Sequence, residues 1–271
     1  MINDELRFLM RDFIQVMKVL NRREVDIHQY PKVILLLLPL LKIKEGYELD
    51  FYCAGDRSGS RFIPYVCRAD ATAPYIPFVY PDGSEALPLR EHCRKYKVLD
   101  KLFLNADVPD APKRIEQPYQ ESMRILKMID FSGTKTIPPA SSYFEVPFSV
   151  RGIMQAWLLD NISNLLPLNW HCGYNRVSYI LDEEEIDWGF VDDFNSKEFE
   201  YAEEAIWYMD RESLYPTVKV DGDEALLTVT CWNAWSGLVK MSVKAHKKGS
   251  GIAFEEPVKE VLVPYKTGIR F

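Results

Sequence analysis

Between Thr217 and Val263 apolar and polar residues alternate through several short runs, and the breaks between those runs carry turn residues. A period of two is the mark of a strand with one buried face, and closely spaced turns force neighbouring strands to run antiparallel. The strands expected here are Thr217 to Val220, Ala225 to Asn233, Leu238 to His246 and Val258 to Val263, with Asp221-Gly222 as a hairpin turn. Lys247-Lys-Gly-Ser-Gly251 reads as a further turn. Leu227, Val229 and Cys231 share one parity, and Val239, Met241 and Val243 continue that face across a turn centred near Trp235. This arrangement pairs Cys231 with Val239 on the core side. His246 falls on the solvent side with Lys240, Ser242 and Lys244.

The rest of the chain mixes helix and strand. Leu6, Leu9, Met10, Phe13, Met17 and Leu20 recur at helical steps. Tyr47 to Cys53 alternates as a half-buried strand, turns at residues 56–60 and returns through Phe62 to Cys67. Further helices are expected from Pro88 to Leu104, over residues 119–131, along the Ile153–Trp157–Ile162 stripe up to Pro167, and from Asn195 to about Arg211. Tyr143 to Val150 and Tyr174 to Leu181 read as strands. The fold class is therefore α+β: largely antiparallel sheet covered by amphipathic helices, with a β-rich C-terminal meander.

Three prolines and no periodicity mark residues 105–118 as a linker. It would separate an N-terminal α+β domain (1–108) from a C-terminal one (119–271). The alternative is one continuous domain with a long surface loop.

The acids at Asp4 and Glu5 stand where a secretory leader would be basic. The most apolar run, Val33 to Leu41, is too short to cross a bilayer and reads as a buried segment. The five cysteines lack paired spacing, as reduced cytoplasmic thiols do. A cytoplasmic protein without membrane contact is expected. The net charge of −7 argues against sequence-indifferent nucleic-acid binding, which needs an excess of Lys and Arg.

The search for reactive chemistry returns weak candidates. A nucleophilic thiol needs an imidazole within hydrogen-bond reach. Cys231 and His246 point to opposite faces. His171-Cys172 lies in a loop after a Pro-terminated helix, the best single place to look, although adjacent residues of an extended segment diverge. No Gly-x-Ser-x-Gly elbow, Walker loop or Gly-x-Gly-x-x-Gly occurs, and no cofactor is expected. Zinc-type spacing is missing, and Asp187, Asp192, Asp193 and Asn195 do not follow a calcium-loop pattern, so no metal is expected. A hydrolase or transferase reading would place its site in a cleft between the halves, around residues 170–173, with His171, Cys172, Asp192 and Asp193.

The least ordinary feature is acidic. Residues 182–212 carry 13 acids against Lys197 and Arg211, a net −11, so the remainder of the chain sums to +4. Seven aromatics lie among them. On the expected helix Phe199, Ala202, Ile206 and Met209 form the core face, leaving Glu200, Glu203, Glu204 and Trp207 outward. Such a surface steers a basic protein partner and anchors it with aromatics. The composition is that of proteins that neutralise or dock basic partners, such as toxin antagonists and nucleic-acid mimics. The preferred expectation is therefore a binding module rather than an enzyme.

Overall fold

The hairpins expected in the C-terminal part form, and they form in the expected register. The computed structural model describes residues 2–21, 30–55, 60–68, 139–162, 177–181, 209–233 and 235–265. In chain order these hold α1 (Ile2–Asn21), α2 (Tyr30–Leu37), β1 (Lys42–Ile43), β2 (Tyr47–Gly55), β3 (Ser60–Arg68), β4 (Phe144–Glu145), α3 (Val150–Asp160) and β5 (Ser178–Tyr179). Five strands follow: β6 (Thr217–Asp221), β7 (Glu224–Asn233), β8 (Gly237–Lys248), β9 (Gly251–Phe254) and β10 (Val258–Val263). Short 3₁₀ turns occupy Ala140–Tyr143 and Arg211–Leu214.

A six-stranded sheet runs β10-β8-β7-β5, with β6 also on β7 and β9 on β8. Every strand pair among the described residues is antiparallel. The chain is an α+β protein. Cys231 pairs with Val239, Val229 with Met241 and Leu227 with Val243, and this row is buried except for the partly covered Met241. Pleating alone accounts for the result, because side chains two residues apart share a face. The expected turn at residues 247–251 is present, with Gly249 at φ +59°. The strand beyond it, β9, escapes a reading based on alternation because it is only four residues long.

On the N-terminal side β2 and β3 pair Cys53 with Phe62 and Glu48 with Cys67, which holds the two cysteines well apart along the hairpin. Leu6, Met10, Phe13 and Met17 of α1 are fully buried at helical spacing. The apolar run after Tyr30 is helical and only partly enclosed: Ile34 and Leu38 are buried, whereas Leu36 is 80% exposed. Strand β1 pairs with β4, and α1 packs against α3, so residues from both ends of the chain share one core cluster.

Two expectations need correction. Tyr143 to Val150 is not a continuous strand: only Phe144–Glu145 is extended in a ladder, preceded by the 3₁₀ turn. Pro147 has no N–H to give a ladder, and Ser149 turns the chain into α3. Its hydroxyl accepts from the Gly152 amide at 3.2 Å, satisfying a free donor of the first turn. The second correction is α3 itself, which is expected to bury one side. It is enclosed all round from Gly152 to Leu159, Gln155 included. Trp157 meets Tyr179 of β5 edge-on at 5.5 Å between ring centroids. Gln155 remains inside because its Oε1 accepts from the Leu40 amide at 2.9 Å, which ties the end of α2 to the central helix. The helices expected at 88–104, 119–131 and 195–211 lie outside the described residues up to Tyr208, as does the 105–118 segment.

Candidate functional site

The acidic stretch is bounded by described residues on both sides, and these meet at one corner of the sheet. On the leading side β5 pairs with β7 (Tyr179 with Cys231), and the Ile180 amide donates to the Thr230 carbonyl at 2.9 Å. On the trailing side Leu214 is buried against Ile180, Trp232, Leu238, Val263 and Tyr265, with Met209 partly covered beside them. Both stems therefore sit in the same satellite cluster, on the side of β7 and β8 opposite the main core.

Arg7 of α1 completes the corner. Its Nε donates to the Leu181 carbonyl, its guanidinium lies 4.0 Å from the centre of the Tyr215 ring, and Asp4 holds it at 3.3 Å from one turn away. One planar cation thus touches the last described residue before the acidic stretch and a residue just after it. The flat, weakly hydrated guanidinium is suited to both contacts at once. Sequence reasoning missed Arg7, because a lone arginine on a helix gives no sign of a partner 174 residues away. Arg7→Met keeps the stem apolar while removing the hydrogen bond and the ring contact. It is expected to cost about 1–3 kcal/mol in denaturant unfolding.

The trailing stem also touches the sheet, where Lys240 Nζ donates to the Ser213 carbonyl at 3.4 Å. Asp210, Ser213 and the 3₁₀ turn Arg211–Leu214 close this end, with the Ser213 hydroxyl donating to the Asp210 carbonyl at 2.7 Å.

Other titratable groups resolve into structural roles. Burial pushes the Cys231 thiol up to about 12, against a smaller opposing effect of Lys259, so it is a packed apolar side chain and not a nucleophile. His246 faces solvent, as expected, with Nε2 at 2.6 Å from Glu255 and Nδ1 at 3.9 Å from Glu224. The two carboxylates flank opposite ring nitrogens, a geometry that does not converge on one ion. No group of three or more metal-ligating side chains occurs among the described residues. Asp160, at the end of α3, accepts from the Ser141 amide at 2.9 Å and from the Ser141 hydroxyl, and burial raises its carboxyl to about 6.

The sequence-derived site residues His171, Cys172, Asp192, Asp193, Glu200, Glu203, Glu204 and Trp207 all lie outside the described residues. Among the described residues, no helix is long and apolar enough to cross a membrane. No protein-family model, curated protein or solved structure matches the chain.

Proposed function

We propose that this protein is a cytoplasmic binding module that docks a basic protein partner through residues 182–212. Glu200, Glu203 and Glu204 supply the steering charge and Trp207 the apolar anchor. The observation that carries this reading is the concentration of charge: a net −11 and seven aromatics within 31 residues, in a chain whose remainder is net positive. The anchoring of both stems in one apolar corner supports it. A segment tied at both ends has less chain entropy to lose on docking than a free tail. Absence of disulfide-like cysteine spacing supports the compartment.

Attraction from surface carboxylates acts mainly on the encounter rate, and salt screens it. Replacing Glu200, Glu203 and Glu204 with Gln should leave thermal stability almost unchanged, since exposed charges contribute at most about 1 kcal/mol each. The same variant should capture basic partners from lysate less well, with slower association and a flatter salt dependence. Identical partner sets for wild-type and variant protein would remove the reading.

A further inference from the structure

Apolar burial seats each stem of residues 182–212 on the sheet separately, through Ile180 on the leading side and Leu214 on the trailing side. Burial of this kind has no preferred direction, so it leaves open the angle at which the chain departs. The ladder between β5 and β7 reaches Tyr179, and the Ile180 amide continues it to the Thr230 carbonyl. One residue further on, Arg7 Nε donates to the Leu181 carbonyl, and the same guanidinium lies 4.0 Å from the centre of the Tyr215 ring. A hydrogen bond and a ring contact are both directional. Together they fix how the chain leaves Leu181 and where it returns. The arginine is itself held: Asp4 lies 3.3 Å away, and the Arg7 side chain is only 22% exposed. Glu5, beside Asp4 in the first turn of α1, reaches Arg151 of α3 at 3.0 Å.

We infer that Arg7 is a positioning residue for the docking segment: it closes the base of residues 182–212 and couples their presentation to α1. The inference rests on the reading of that segment as a docking surface and gives it a regulator within the chain. Residues 182–214 lie between the two contacts. Fixing the ends of such a stretch removes chain freedom that docking would otherwise have to remove. Coupling of this kind is reciprocal, so docking on the segment and the hold of Arg7 strengthen each other by the same factor. The planar guanidinium can lie on the Tyr215 ring while its Nε donates sideways to Leu181. A lysine ammonium, a point charge on a flexible stem, does not hold both contacts at once.

The test compares the full-length wild type with R7K, which keeps the charge and loses the fork. R151M is the control, because it frees the same end of α1 from α3 and touches neither stem. The first readout is native-state cleavage by a Glu-specific endoproteinase, with cuts within residues 182–212 measured against the cut at Glu45. That residue stands exposed in the turn before β2 and reports any general loosening. The second readout is affinity for poly-L-lysine at about 50 mM salt, where surface charge is weakly screened. R7K is expected to raise the cleavage ratio at least about fivefold and to weaken poly-L-lysine binding at least about threefold. R151M should do neither. Tyr215→Leu, which removes the ring from the other side, should act in the same direction as R7K and serves in its place if R7K does not fold. An arginine that only stabilised the fold would lower the unfolding midpoint and move neither readout. Unchanged readouts in R7K, or equal changes in R151M, overturn the inference. So does faster cleavage with unaltered affinity, for then the segment docks without regard to its base. If E200Q/E203Q/E204Q binds poly-L-lysine as tightly as the wild type, the docking reading fails, and the cleavage ratio alone decides whether Arg7 closes the base.

Discussion

Gly237→Ala is expected to lower the stability of the fold by at least about 3 kcal/mol, read as a reduced denaturant midpoint. Gly237 opens β8 at φ +83°, in the left-handed region that L side chains rarely adopt. A methyl group there would overlap the Val263 carbonyl oxygen and lie 2.6 Å from the Tyr265 amide nitrogen, both backbone atoms that no side-chain rotation can move. Val263 and Tyr265 belong to the cluster that seats Leu214, so the damage reaches the trailing stem of the acidic segment. By contrast Gly222→Ala, at φ +59° with no atom within 4 Å of the added methyl, meets only the backbone preference. It should cost about 1 kcal/mol. Equal losses at the two sites would mean that steric overlap at Gly237 is not the cause.

The second large effect is pH-dependent. The Asp160 carboxyl sits at about 6 in the folded protein against 3.8 for a solvent-exposed aspartate, because burial penalises its charge more than the two Ser141 bonds relieve it. A raised folded value means that the folded state holds the proton more tightly. The resulting stability is fully present below about pH 3.8 and is lost as pH rises through about 6. A difference of this size is worth up to about 3 kcal/mol at neutral pH. In Asp160→Asn the amide oxygen still accepts from the Ser141 N–H and the amide nitrogen donates to the hydroxyl, with no charge to bury. Other carboxylates shape the total profile, so the informative quantity is the difference between variant and wild type. That difference should move in favour of the variant by up to about 3 kcal/mol between pH 4 and pH 7. A pH-independent difference would show that Asp160 is ionised without penalty.

Much of the sheet was legible because pleating is a local property. Once Leu227, Val229 and Cys231 alternate with polar residues and a turn follows, the pairing with Val239, Met241 and Val243 follows from side-chain parity. The same logic placed His246 in solvent and separated Cys53 from Cys67. It also sets Cys231 and His246 on opposite faces, which excludes them as a nucleophile pair. The acidic segment was equally plain, because charge is counted and not folded. Its outward residues, Glu200, Glu203, Glu204 and Trp207, remain assigned from helical spacing alone.

The remaining features depend on residues far apart in the chain. Helical spacing showed that α3 buries a face, but not that α1, β9 and the sheet would enclose its other sides and leave Gln155 inside. Pairing of Asp160 with Ser141 joins the end of a helix to a turn 19 residues earlier. The Arg7 contact with Leu181 joins residues 174 positions apart in the chain. Neither leaves a periodic trace, since a single polar side chain has no pattern until a partner is brought to it. Local alternation and charge thus set the strands, their facing and the acidic character of this protein. Tertiary packing decided which helix became central, which carboxyl lost its water, and which arginine joined the two stems, because those outcomes depend on burial and on distances that no window of sequence contains.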